Sequence, residues 1–503
     1  MRAAGNSVSP TATRPQPPVL HRSVDSPVGR LSQPFWPVPA EHPKPHAAGR
    51  DRPIEPIHND VTNLSIPFVR SAGDRRRCRI DGRTVRHRPV QYGSAGHAPL
   101  RHPRSGPRSG GDPRMTDRRT PDVDVGTDRT DAVAESVIRE MTREALAHDA
   151  INLSQGIPDE DETPPAIKAA AREAVDTDSQ YTITWGLPEL RETVSERYAD
   201  WKGVRYDPET EVTITTGTSE ALMSTLLSLV DGDDAVIYFE PVYESYIPAS
   251  QFAGAEAIPL DITDDLTVDF DALAAAAERA TVLVLNTPMN PTGKVFSRTE
   301  LERIEEIVFE HDLIVLTDEI YEHIVYTDDY VSPVEVGDLA DRTVVCTGMS
   351  KTFSVTGWRV GFCLAPEYLS AELRKVHDYT TICAPTPFQR AGVEALSLPD
   401  DYYTDLSDSY ERRRDLLCDG LERAGLDPVR PDGAYYVMAR YPTGESDVEF
   451  CHRLIREAGV AAVPGGSFYT DPDAEADWIR FTFSRNEPTL REAIDRLVEN
   501  RWW

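Results

Sequence analysis

Short apolar runs alternate with amphipathic stretches along most of this chain. Val212-Thr-Ile-Thr215, Ala235–Phe239, Thr281-Val-Leu-Val-Leu285, Leu313-Ile-Val-Leu316 and Thr343-Val-Val-Cys346 are apolar on both faces. Parallel strands covered by helices on each side read this way. Between them, Ser219–Val230 and Ser297–His311 follow the helical pattern. Upstream, Val137, Ile138, Met141, Ala145 and Leu146 recur at helical spacing, and Pro164 and Pro165 open a helix over Ala166–Val175. Beyond Asp401 the pattern gives a helix over Arg412–Ala424 closed by Gly425. Short strands follow at Ala434–Met438, Val460–Val463 and Ile479–Phe483, then a last helix over Thr489–Glu499. The alternation predicts an α/β protein, with a large, mainly parallel sheet domain and a smaller α+β domain. In such sheets a ligand sits beyond the carboxyl ends of the strands.

Residues 1–114 break this pattern. They hold 18 of the 40 prolines and a net charge of +11, leaving −42 on residues 115–503. A segment that cannot bury enough apolar surface to offset its ordering entropy is expected to be disordered. A start of translation at Met115 is the other reading of this stretch. The remainder divides into 115–165, an N-terminal arm with part of the small domain, 166–400, the large domain, and 401–503, the small domain. So acidic a body excludes nucleic acid and anionic membranes as charge-driven partners. Six scattered cysteines without a CxxC pair, no long apolar run and no signal-peptide core predict a soluble protein of a reducing cytoplasm, with no structural metal. Abundant acid and scarce lysine suggest a halophilic one.

One lysine stands out. Only six of the 53 basic residues are lysine, and Lys351 follows directly on the strand Thr343–Cys346 in Gly348-Met-Ser-Lys351-Thr-Phe-Ser-Val-Thr-Gly357-Trp-Arg359-Val-Gly361. An amine at a buried strand end loses its proton more readily, and the neutral amine is a nucleophile suited to a Schiff base with an aldehyde cofactor. Asp318 and Tyr321 follow the strand Leu313–Leu316. A semi-buried carboxylate there needs a cationic partner; otherwise Asp318 caps a helix starting at that point. Asn290 sits in the rigid turn Asn286–Gly293. Thr218, Ser219 and Glu220 open a helix whose free N–H groups suit a phosphate, and Arg359 offers a fork of donors for the same group. Arg480 lies on an apolar strand, where it must meet an anion: a ligand carboxylate or a structural acid.

Together these segments resemble the class I and II pyridoxal-phosphate aminotransferases, with the fold of aspartate aminotransferase, over about residues 130–503. The resemblance rests on Asn152–Asp159, Gln180–Gly186, Asn286–Gly293, Thr317–Tyr321, Ser350–Gly361 and Trp478–Phe483. The branch it points to holds kynurenine, glutamine and aromatic aminotransferases. It implies pyridoxal 5'-phosphate as cofactor and ping-pong transfer of an amino group from an L-amino acid to a 2-oxo acid. Lys351 would hold the cofactor as a Schiff base and then shuttle the substrate α-proton. Asp318 would pair with the ring nitrogen, Tyr321 and Asn290 would bond the ring oxygen, and Tyr243 would stack on the ring. Thr218, Ser219, Glu220 through its backbone, Ser350 and Arg359 would hold the phosphate. Tyr181 would reach the phosphate of a neighbouring subunit, which implies a homodimer. Arg480, Asn290 and the backbone at Gly156 would receive the substrate carboxylate, with Trp185 in the same substrate set.

Two departures from the family pattern matter. A serine common three residues before the lysine is Gly348 here, leaving Ser350 or Thr347 to contribute. Ile382-Cys383 replace the aromatic-histidine pair of the kynurenine-type enzymes, which argues against an aromatic or kynurenine specificity. Two alternatives differ in class: a carbon–sulfur lyase or decarboxylase on the same fold, and a transcription regulator with residues 1–114 as its DNA-binding head.

Overall fold

The computed structural model describes residues 126–503, apart from 132, 134, 160, 161, 263, 264, 472, 473 and 475. The readings made of residues 1–114 lie outside these described residues. Seven strands form one sheet: β1 (Val212–Thr215), β2 (Ala235–Glu240), β3 (Glu256–Asp261), β4 (Val282–Asn286), β5 (Ile314–Asp318), β6 (Thr343–Gly348) and β7 (Gly361–Leu364). Their spatial order is β1-β7-β6-β5-β4-β2-β3. All neighbours are parallel except β7, which runs antiparallel to both β1 and β6. The sheet is therefore mixed. Strands β3 and β7 escape the sequence pattern, β3 because it is a half-exposed edge and β7 because four residues carry no periodicity.

The five strands expected from apolar runs are buried along their length or nearly so. Helices on both faces explain that burial, since each sheet face feeds its own apolar cluster. Helix α1 spans Val137–Ala147, α2 Thr218–Leu229, α3 Arg298–Glu310 and α4 Glu367–Thr380. The start of α3 is fixed by a capping box, in which Ser297 and Glu300 satisfy each other's backbone N–H groups.

A four-stranded antiparallel sheet makes the second layer system. It holds β8 (Asp427–Val429), β9 (Tyr436–Arg440), β10 (Val463–Pro464) and β11 (Trp478–Thr482), in the order β10-β11-β9-β8. Helices α5 (Asp400–Ala424) and α6 (Glu487–Glu499) pack in the same core. Ile151-Asn152 pair in parallel with Val460-Ala461, which brings the stretch after α1 into this body. Two expectations change. Helix α5 starts twelve residues earlier than Arg412, and Val460–Val463 splits between two sheets. No described helix is long and apolar enough to cross a membrane.

Candidate active site

Strands β1, β2, β4, β5 and β6 are mutually parallel, so their carboxyl ends share one edge, and antiparallel β7 begins at that edge. The turns leaving these strands surround a cavity of about 190 Å³. Asp318 ends β5. Asn286 ends β4 directly opposite it in the register, and its amide donates to the Asp318 carbonyl at 2.9 Å. Asn290 is drawn in by its own N–H, which donates to the Asn286 side chain at 2.7 Å. Lys351 and Ser350 come from the turn after β6, and Arg359 comes from the residues before β7.

Asp318 is 4% exposed. Tyr246 donates its hydroxyl to Oδ2 at 2.7 Å, and the Ile320 N–H reaches Oδ1 at 3.2 Å. No helix begins there, so Asp318 is no helix cap. Burial raises its pKa from 3.8 to about 6, against the pull of Tyr246, Ile320 N–H and Lys351. A shift of roughly two units corresponds to about 3 kcal/mol disfavouring the ionised form. The carboxylate is held where a cation would relieve it. Lys351 shows the inverse. Its Nζ donates to the Gly156 carbonyl at 3.1 Å, among the faces of Tyr321 and Tyr435. Burial lowers its pKa to about 8, helped by Arg359 and Arg480 and opposed by Asp318.

The opposite end of the cavity suits an anion. Arg359 adopts a left-handed backbone, φ 54°, which costs a non-glycine residue on the order of 1 kcal/mol. Its guanidinium lies against Gly217, where a Cβ would come within 2.7 Å of Cζ. Only glycine lets the α2 turn and the guanidinium share this space. Thr218 and Ser219 line the cavity from the first turn of α2, where backbone N–H groups have no intrahelical acceptor. Glu220 turns its carboxylate away, to the Thr216 N–H and His377, and its own N–H donates to the Gly217 carbonyl. Gly348 faces Gly361 across β6 and β7, and a Cβ there would meet the Gly361 Cα at 2.7 Å. That contact leaves no room for a serine. Of the two substitutes considered, Ser350 lines the cavity, whereas Thr347 donates its hydroxyl to Glu322 at 2.9 Å, behind the sheet edge.

Arg480, on β11, is 1% exposed. Its two terminal nitrogens donate to Asn290 Oδ1 and the Ser154 carbonyl, each at 2.8 Å, and Nε has no partner. The rings of Tyr436 and Phe468 stand 4.2 and 4.7 Å from the guanidinium carbon. Among the described residues no carboxylate pairs with it, so the structural ion pair is not found.

Tyr243 and Tyr321 also line the cavity. Gly156 meets it through its carbonyl, which accepts from Lys351 and from the Tyr435 hydroxyl at 2.7 Å. Two sequence candidates stand apart. Tyr181 is exposed, and Trp185 stacks under Arg374 without reaching the cavity wall. Tyr246, Asn286 and Tyr436 line the cavity without having been singled out by sequence. Their sequence signals are slight: Tyr246 stands three residues after Tyr243, and Asn286 opens the turn Asn286–Gly293. A buried acid, a half-buried amine and an arginine beside free helix N–H groups fit the ring nitrogen, the aldehyde and the phosphate of one cofactor.

Residues 148–497 match the family model described as aminotransferase class I and II. The chain belongs to that family. It is a pyridoxal-phosphate-dependent aminotransferase. It is similar to a methionine aminotransferase of Escherichia coli, 34% identical over 367 residues that cover 72% of this chain and 95% of the relative. A probable N-succinyldiaminopimelate aminotransferase of Mycobacterium tuberculosis is 38% identical over 380 residues, covering 72% and 96%. Solved structures of the same two kinds of enzyme from these organisms each superpose with a TM-score of 0.72. They are 33% and 36% identical, and the matches span 75% and 74% of this chain and 99% of each structure. The aminotransferase carries the type I fold of these structures.

The burial of Lys351 generates a titration. In the cofactor-free aminotransferase, condensation of Lys351 with an aldehyde reagent, read by mass spectrometry, is expected to rise with a midpoint near pH 8. Asp318→Asn removes the charge that favours the ammonium, so the midpoint moves lower. A midpoint near the ordinary 10.5 contradicts the placement.

Proposed function

We propose that the aminotransferase moves an amino group between an L-amino acid and a 2-oxo acid, with Lys351 as its nucleophile and proton carrier. The observation supporting this most directly is that Lys351 and Asp318 line one cavity without pairing with each other, the amine on the Gly156 carbonyl and the acid under Tyr246, with burial pushing the amine down to about 8 and the acid up to about 6. Pyridoxal phosphate, when bound, supplies an aldehyde that takes up the amino group and a ring that accepts the electron pair of the substrate α-carbon. Asp318 answers the charge of the ring nitrogen, and Tyr246 keeps the carboxylate oriented. Tyr321 and Asn290 would donate to the ring oxygen, and Tyr243 would cover the ring. Ser219, Thr218, Ser350 and Arg359 would hold the phosphate, whereas the Glu220 N–H is already taken by the Gly217 carbonyl. Arg480 and Asn290, with the backbone at Gly156, would receive the substrate end that bears the α-carboxylate; Trp185, held under Arg374, is left out of this set. The Lys351 amine, in its neutral form, would carry the substrate α-proton.

Three further readings belong with this one. The exposed Tyr181 reaches the phosphate of a second copy, so the enzyme is a homodimer with shared sites. The acidic, lysine-poor surface fits a halophilic cytoplasm. The work is amino acid metabolism, with substrates to be named by a panel of amino donors against 2-oxoglutarate and pyruvate.

Lys351→Ala is expected to lose the visible absorbance of the holoenzyme and on the order of 10⁴-fold or more in amino transfer; normal turnover in the colourless variant would refute its role. Arg480→Gln is expected to raise KM for both substrates by about 10²-fold, the loss of a charge-assisted fork, with the spectrum intact. Sedimentation from molar salt into dilute buffer reads dimer and salt dependence together. A monomer at every salt overturns the shared site, and equal stability throughout overturns the halophilic reading.

A further inference from the structure

Glu220 poses an electrostatic difficulty. It is the third residue of α2, in the same first turn whose N–H groups and neighbouring Arg359 form the anion site. A carboxylate there stabilises the helix but repels a phosphate. The structure places one imidazole against it. His377, on α4, is fully buried. Its Nδ1 lies 3.1 and 3.2 Å from the two Glu220 oxygens, and its Nε2 lies 2.8 Å from the Thr184 carbonyl. Both ring nitrogens thus face acceptors. A neutral imidazole has one N–H and can satisfy only one of them; the imidazolium satisfies both. Glu220 also accepts from the Thr216 N–H at 3.1 Å, just ahead of Gly217. A continuous chain of hydrogen bonds therefore runs from the anion-binding turn through Glu220 and His377 to the segment that carries Tyr181.

We propose that His377 is a positioning residue for the cofactor phosphate: as an imidazolium it cancels the Glu220 charge beside the phosphate and fixes the Thr216–Ser219 turn. This rests on the reading that the turn holds the phosphate. Burial alone would discharge His377, but the hydrogen bond and charge of Glu220, the Thr184 carbonyl and the charge of Asp378 together raise its pKa. The charged groups around it are Glu220 from α2 and, on its own helix, Asp378 and Arg374, the last of these turned to Thr213 and the Val212 carbonyl. With a raised pKa the grip is complete below pH 6.5 and is lost as pH rises through the folded value.

The test follows cofactor release from the holoenzyme, read by the decay of its visible absorbance during dilution, from mildly acidic to alkaline pH. His377→Gln leaves the Glu220 charge uncancelled and is expected to release the cofactor roughly tenfold faster at neutral pH, with the alkaline acceleration of the parent enzyme gone. Glu220→Gln combined with His377→Gln removes both charges and is expected to restore slow release, a rescue that lost packing alone would not give. If the single variant does not fold, the double variant still decides: slow release with a flat pH profile supports the inference, and release that keeps the parent's alkaline acceleration overturns it. Arg359→Ala serves as the separate control. Unchanged release there would sink the phosphate reading itself, whereas fast release there beside a parent-like His377→Gln would sink only the role of His377.

Discussion

An acid and an amine share one buried cavity without touching, and the rest of the architecture serves that separation. Asp318 and Lys351 leave adjacent strands, β5 and β6, at the same edge. Each is nevertheless engaged elsewhere, Asp318 by Tyr246 and the Ile320 N–H, Lys351 by the Gly156 carbonyl. Contact between them would form a buried ion pair, close the cavity and leave neither group reactive. Held apart, each is pushed toward its neutral form and each is relieved by a ligand that bridges them.

The separation depends on backbone as much as on side chains. Gly348 lets β6 and β7 approach where a methyl group could not fit, Gly361 leaves room for the backbone at Gly217 and Thr218, and Gly217 lets the start of α2 meet the Arg359 guanidinium. Arg359 in turn accepts a left-handed conformation to aim that group. Strain of this kind persists only where surrounding structure fixes it, and here it sits at the anion end of the cavity.

Much of this was legible in the sequence, for a definite reason. Apolar runs buried on two faces announce strands, and a parallel sheet brings the turn after each strand to one edge. Asp318, Asn290, Lys351, Thr218 and Ser219 are therefore grouped by the chain's own pattern. The features that escape the sequence depend on tertiary neighbours. The first twelve residues of α5 hide their apolar stripe, Tyr403 and Tyr410, among Asp and Ser. Tyr246 gains its role only when the fold brings its hydroxyl to Asp318, 72 residues on, and the Glu220–His377 pair joins residues 157 apart in sequence. In sequence Gly348 reads as a missing phosphate ligand; its neighbour across the sheet shows that it is a steric requirement.

The scarcity of lysine has a chemical corollary. The side chains of Lys202 and Lys294 are each 7% exposed and ion-paired, to Glu322 and Glu300, and Lys375 is held by Glu372. Over the described residues an aldehyde meets mainly carboxylates and guanidinium groups, which do not form imines readily, and of these three lysines only Lys375, 67% exposed, presents its amine to solvent. An aldehyde cofactor therefore finds few competing amines on the way to Lys351.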